Sequence, residues 1–303
     1  MSFRVVLIEN EVKLSLKLKN LVVNKDGQDI WIPLDDISII VVDNLNTNIT
    51  TRMLSILSEE NISLVICDKN HLPSGCFVAY ENHSRASKMI QYQIDFNNEM
   101  KNELWDEIVK AKIMNQKETL RLLKGHDVEL SIFDSYANEV FNGDETNREG
   151  TAAKAYFTRL MGTAFSRSND DILLNSGLDY GYSIVRSYLS RLLIAYGFNC
   201  QLGIHHKSEY NAFNLVDDIM EPVRPILDIC AYRILDGQKY FLPEHRRYIV
   251  NFVNHYIKYN RKEMYIGNML EEYVVQIVNS IKNKKIQVIF PCAFDYIGNR
   301  DEV

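Results

Sequence analysis

The sequence predicts an α+β fold: a mostly antiparallel β domain over residues 1–80, a linker over 81–87, and a larger all-helical domain over 88–303. Three observations carry this. Short β-rich runs separated by turn residues fill the first eighty positions, the polar stretch ENHSRAS interrupts them, and helical spacing of apolar residues dominates afterwards. At 303 residues the chain is long enough for two domains and a sizeable core.

Taken in order, Phe3–Ile8 is an apolar β-rich run, and Val12–Leu18 (VKLSLKL) alternates with the period of a half-buried strand. Leu21–Val23 and Asp29–Ile32 flank Asn24–Gly27, where Asp26-Gly27 favours a hairpin turn. Ile37–Val42 (ISIIVV) is apolar except for Ser38 and suits a strand covered on both faces, whereas Thr51–Glu60 has helical spacing at Met53, Leu54 and Leu57. Ile62–Cys67 and Cys76–Tyr80 return to strand character. This domain has no acid–histidine cluster, so its expected work is packing and protein contact, including contact within a dimer. Beyond the linker, Met89–Lys124 reads as one long or broken helix, Val128–Phe141 as another, and Leu178–Phe198 as a buried helix whose tyrosines belong to the core. Glu244–Tyr259 is amphipathic, and the apolar tail within Ile286–Val303 is expected to pack back on its own domain.

The formal net charge of −6 argues against a uniformly basic nucleic-acid coat, while 34 Lys and Arg leave room for a local basic groove. Five scattered cysteines (Cys67, Cys76, Cys200, Cys230, Cys292) form no CxxC pair and suit reduced thiols in the cytoplasm. The N-terminus lacks a signal-peptide pattern, and Arg186 and Arg191 interrupt the apolar Leu189–Ala195 region well short of the roughly 18 residues of a membrane span. A soluble, cytoplasmic chain is expected.

Chemistry concentrates in Leu202–Pro225 (LGIHHKSEYNAFNLVDDIMEPVRP). Asp218 and Glu221 are three apart and share a helix face, Leu215 and Ile219 anchor that helix, and Pro222 and Pro225 close it. Carboxylates and an imidazole on a rigid helix end suit a divalent cation. A second block, Thr146–Tyr156 (TNREGTAAKAY), holds Glu149. On spacing alone, Thr146 and Glu149 fit a capping box better than a ligand role. Gly150, Ala152, Ala153 and Ala155 would let a backbone or ligand approach closely. Arg148 and Lys154 read equally as phosphate contacts and as solvated helix charges, as do Arg246 and Arg247. His71, His83, His126, His245 and His255 lack acids at ligand spacing and are read as surface or core residues.

NREG followed by AAKAYF (Asn147–Gly150, Ala152–Phe157), GIHH (Gly203–His206) and FNLVDDIMEPVRP (Phe213–Pro225) resemble the signatures of the CRISPR-associated protein one family, which inserts new spacers into CRISPR arrays. GLDYGYS (Gly177–Ser183) and KEMYIGNML (Lys262–Leu270) resemble its type II members, which operate beside a single-protein effector nuclease. The likeness extends over essentially the whole chain and keeps the motif order.

The resemblance implies a metal-dependent DNA integrase and endonuclease of CRISPR adaptation, in which a prespacer 3′-OH attacks a phosphodiester of the repeat. It places catalytic and metal-binding roles on Glu149, His206 and Glu221, with Asp218 as a neighbouring acid; His205 competes with His206 for the ligand role. Oxygen-rich ligation with one imidazole implies Mg²⁺ or Mn²⁺. Arg148, Lys154, His205, Lys207, Arg224, Arg246 and Arg247 are the candidate DNA contacts. Implied partners are prespacer and repeat DNA, a second copy of the chain, the second small CRISPR-associated adaptation protein and the effector nuclease. The competing readings are a branched-DNA repair nuclease, a non-catalytic DNA-binding scaffold, and a structural metal site.

Overall fold

The computed structural model describes residues 4–25, 27–80, 83–125, 129–169 and 172–299. Asp26 of the expected turn, residues 81 and 82 of the linker and His126 lie outside these. The N-terminal part contains β1 (Arg4–Ile8), β2 (Lys13–Lys17), β3 (Asn20–Lys25), β4 (Gln28–Pro33), β5 (Ile37–Val42), β6 (Asn48–Ile49), α1 (Thr51–Glu59), β7 (Ser63–Cys67) and β8 (Pro73–Phe77). They form two four-stranded sheets, ordered β1-β5-β7-β8 and β4-β3-β2-β6.

The expectation of a mostly antiparallel domain needs correction. Both sheets are mixed, and β1–β5, β5–β7 and β2–β6 are parallel pairs. The parallel return from β5 to β7 is made through α1, because parallel neighbours need a crossover where antiparallel ones need only a turn. The unbroken ISIIVV run of β5, buried at every position, is the composition that a parallel strand covered on both faces requires. Its side chains divide between two cores. Ile37, Ile40 and Val42 pack with Leu14, Leu21, Met53 and Leu57 in the N-terminal core. Ile39 and Val41, with Val65 and Cys67 of β7, join the core of the helical part.

That part contains α2 (Ala86–Ile94), α3 (Asn98–Lys124), α4 (Ser131–Asn138), α5 (Arg148–Met161), α6 (Leu173–Ala195), α7 (Asn214–Met220), α8 (Arg224–Leu235) and α9 (Pro243–Val250). The chain then forms β9 (Tyr256–Tyr259), β10 (Lys262–Tyr265), α10 (Ile266–Asn283) and β11 (Tyr296–Gly298). Of the two forms expected for Met89–Lys124, the broken one occurs: Asn97 caps α3 by accepting from the Met100 N–H at 2.9 Å. The helical part is not all-helical. β10, β9 and β11 form a three-stranded antiparallel sheet, so Glu244–Tyr259 is a helix only as far as Val250 and a strand from Tyr256. Tyr256, Ile257 and Tyr259, aromatic and β-branched types enriched in strands, carried that strand signal. The tail does pack back, with Ile286, Val288 and Phe290 against the helical core.

The central element is α3. Its buried face runs through Leu104, Trp105, Ile108, Val109, Lys112, Ile113, Asn115, Gln116, Thr119 and Leu120. Three polar residues of this face, Lys112, Asn115 and Thr119, hold the junction between α7 and α8. Lys112 pairs with Glu221, Asn115 donates to the Pro222 carbonyl at 2.7 Å, and the Thr119 hydroxyl donates to the Pro225 carbonyl at 2.9 Å. Asn115 also donates to the Pro291 carbonyl and accepts from the Ala293 N–H, fastening the tail to the same helix. Pro222 follows α7, whereas Pro225 lies in the first turn of α8, where a missing N–H costs nothing. Pro225 therefore starts a helix instead of closing one.

Candidate active site

Glu149 stands in the first turn of α5, and its position is set by acids rather than by a capping box. Asp106 on α3 accepts from the N–H groups of Gly143 and Asp144 at 2.8 and 3.0 Å. Asp144 in turn accepts from the N–H groups of Arg148 and Glu149 at 2.8 and 2.9 Å, satisfying two orphan donors of the helix start. Asn147, at φ +52°, is the N-cap and accepts from the Gly150 N–H at 3.1 Å. A Cβ at Gly150 would fall 2.7 Å from Asn147 Oδ1, so what approaches this glycine is its own cap. The Glu149 side chain, released from capping, turns to α3 and accepts a hydrogen bond from Lys112.

Glu221 caps the C-terminal end of α7 and is buried. Its Oε1 accepts from Arg224 Nε at 2.9 Å, and its Oε2 faces the Lys112 ammonium. Burial works to raise its pKa, but Arg224 and Lys112 outweigh it and hold the carboxyl down at about 2. Burial likewise disfavours charge on Lys112, and Glu221 and Glu149 more than compensate, so its pKa is raised. The two acids, 72 residues apart in sequence, thus meet across one lysine.

Asp218 has a different task. Fully buried, its Oδ2 accepts from the N–H groups of Ile204 and His205 at 2.6 and 3.0 Å. Oδ1 accepts from the His206 N–H at 3.1 Å and is bonded to His206 Nδ1 at 2.6 Å. All four acceptor positions of the carboxylate are taken, so of the two acids on this face only Glu221 keeps an oxygen turned to a cation. The hydrogen bond to Asp218 raises the His206 pKa above the usual imidazole value despite partial burial, and it leaves Nε2 as the ring nitrogen not engaged by Asp218. His205 instead lies flat on Trp105, with ring centroids 4.3 Å apart and planes 5° from parallel, and burial lowers its pKa.

The candidate DNA contacts separate into three kinds. Lys154 and Lys207 are exposed, and Lys207 lines a cavity of about 680 Å³ beside His206 together with Lys101. Arg148 pairs with Glu139 at 2.6 Å, and Arg224 lies between Glu221, Asp217 and the Tyr182 ring. Arg246 is a correction: it is buried with its Nε 2.8 Å from Asp43, tying α9 to the end of β5, and presents no surface to DNA. Arg247 is exposed and pairs with Glu9.

Sequence reasoning missed Lys112, Trp105, Asp106 and Asp144. The available signal for Lys112 was its place seven residues after Trp105, a charge on the apolar stripe of a long helix. Among the described residues no three His, Cys, Asp or Glu side chains form a ready metal cage. The donor chemistry still suits a hard divalent cation. Two carboxylates already share one cation, Glu221 turns its buried Oε2 to that cation, and an imidazole is braced by a carboxylate on its far nitrogen.

The family described as "CRISPR associated protein Cas1" matches residues 5–242. The chain belongs to the Cas1 family. Among its Cas1 relatives is the "CRISPR-associated endonuclease Cas1" of Neisseria meningitidis serogroup C (strain 8013), 38% identical over 240 residues that cover 78% of this chain and 77% of the relative. That relative comes from a type II system, in keeping with the expected likeness. The "CRISPR-associated endonuclease Cas1 1" of Francisella tularensis subsp. novicida (strain U112) is 24% identical over 239 residues, covering 72% of this chain and 74% of the relative. Among solved structures, a casposase bound to integration product shares the fold with a TM-score of 0.79 at 18% identity, covering 99% of this chain and 97% of that one. A CAS1 protein from Thermotoga maritima follows at 0.70 and 15% identity, covering 93% and 97%.

Proposed function

We propose that this Cas1 family member is a metal-dependent DNA integrase and endonuclease of CRISPR adaptation, joining prespacer 3′-OH ends to a repeat phosphodiester. The observation that carries this reading is the meeting of Glu149 and Glu221 across a single cation, beside a histidine braced by Asp218. The names of its relatives support the nuclease half, and a casposase with its integration product shares the fold.

Glu149, Glu221 and His206 through Nε2 would hold Mg²⁺ or Mn²⁺. When bound, such an ion orients the attacking hydroxyl and neutralises charge developing on the phosphoryl oxygens. Asp218 positions His206 and fixes the loop that carries it. Arg224, 4.6 Å over the Tyr182 ring, donates to one oxygen of the Glu221 carboxylate and leaves the other to Lys112. Lys101, Lys154 and Lys207 supply salt-dependent phosphate contacts, and His205 on Trp105 offers a flat ring at the edge of the site. Relatives of this fold are seen in Cas6-RT-Cas1–Cas2 and TtCas1–DNA complexes, which supports DNA and a Cas2-type partner for this chain. A homodimer in the cytoplasm, acting with the effector nuclease, completes the reading.

The test is strand transfer of a labelled prespacer into a supercoiled plasmid bearing leader and repeat, with the partner protein and Mn²⁺ or Mg²⁺. Wild type and His205→Ala should join; Glu149→Ala, His206→Ala and Glu221→Ala should lose activity by about a hundredfold or more. Cleavage of branched DNA without joining would favour the repair-nuclease reading. Activity retained by Glu149→Ala would overturn the site.

A further inference from the structure

The interior of the site carries its own cation. The Lys112 ammonium touches Glu149 and Glu221 together, and it is delivered from α3, an element separate from those that carry either acid. Its stem lies in the buried face of α3 between Val109 and Ile113, and the side chain is only 9% exposed. With Arg224 on Glu221, the cluster holds two carboxylates against two cationic side chains and is already neutral. A divalent ion added to this arrangement would bring four positive charges against two negative ones in a water-poor space, where repulsion is weakly screened. Lys112 bridges Glu149 of α5 and Glu221 at the end of α7, so removing its charge leaves the two carboxylates without the cation between them.

We propose that Lys112 is the resident countercation of the Glu149–Glu221 pair and that a divalent ion loads the site only by displacing it. Lys112 is then a positioning residue that keeps the acids together before loading and sets the metal concentration at which loading occurs. The proposal rests on the metal-site reading above, and its test separates the two.

The experiment is a Mn²⁺ titration of the full chain without DNA, following the electron paramagnetic resonance signal of free Mn²⁺. Wild type, Lys112→Met, Lys112→Arg and Glu149→Gln are compared. Lys112→Met keeps the stem and removes the charge, and should bind Mn²⁺ about tenfold or more tightly than wild type. Lys112→Arg keeps the charge and should not gain affinity. The melting temperature gives a second readout: without metal Lys112→Met should melt below wild type, and saturating Mn²⁺ should raise its melting temperature by more. Should Lys112→Met fail to fold, Lys112→Gln, which keeps amide donors for the carboxylates, carries the same comparison. Equal or weaker Mn²⁺ binding by the uncharged variants, with binding still abolished in Glu149→Gln, overturns the displacement and leaves the metal site standing. Binding that is absent throughout, or indifferent to Glu149, sinks both.

Discussion

Asp218 accepts four hydrogen bonds from one loop, and Gly203 is what lets the loop come close enough to make them. A Cβ at position 203 would lie 2.2 Å from the His206 carbonyl oxygen and 3.0 Å from Asp218 Oδ2. Neither the backbone oxygen nor the fully bonded carboxylate can yield without opening the loop. Gly203→Ala should therefore destabilise the protein by about 1–3 kcal/mol in chemical denaturation. It should also abolish strand transfer, because His206 moves with its own main chain. Wild-type stability and activity in this variant would show that the loop tolerates a second arrangement. The same carboxylate settles how the two adjacent histidines differ: His206 is oriented through Nδ1, whereas His205 is oriented by the face of Trp105. The spacing to Glu221 pointed to His206 and kept His205 as the alternative, but nothing in GIHH says which ring a distant carboxylate will grip.

At the scale of elements, α3 is the frame on which the site is assembled. Lys112, Asn115 and Thr119 recur at helical spacing on one stripe, and they read the segment from Glu221 to Pro225 residue by residue. Proline carbonyls are good acceptors with no N–H of their own to satisfy, so a polar stripe of donors is what this segment needs. Replacing Asn115 by Leu would strand two proline carbonyls and the Ala293 N–H inside the core. That should cost on the order of 3 kcal/mol, measured by urea denaturation, and loosen the tail as seen by faster amide exchange near Ala293. Much of the architecture was legible in sequence. The break between α2 and α3 was left open, whereas the N-terminal strands, α1 and the order of glutamate, histidine and acid motifs all show in local patterns. The parallel pairings did not, because strand direction depends on the crossover rather than on any one run. Lys112, Asn115 and Thr119 were read as part of a helix with no stated role, because a polar residue on an apolar stripe declares only that it has a partner, not which one.

For the whole molecule, acid sensitivity has a traceable source. His255 is fully buried with Nδ1 bonded to Tyr296 at 2.7 Å, and burial pushes its pKa down to about 4. The folded protein thus holds it neutral while the unfolded chain protonates near 6.5, so its contribution to stability is present above that value and is lost as pH falls through it toward about 4. Asp228, whose carboxyl burial pushes up to about 6, acts with the opposite slope, losing stability as pH rises from its ordinary value near 3.8. Comparing wild type with His255→Phe in melting experiments from pH 7 to pH 4 cancels the Asp228 contribution. The variant should show the shallower acid loss; parallel curves would mean that His255 finds a way to protonate inside the fold. The division of β5 between two cores carries a last consequence. Each half of the chain, made alone, would present a naked face: the N-terminal piece would expose Ile39, Val41, Val65 and Cys67, and the helical piece would lack the sheet that covers it. Such fragments are poor candidates for independent modules and good candidates for a split protein, in which two inert pieces regain function by reassembling along one shared sheet face.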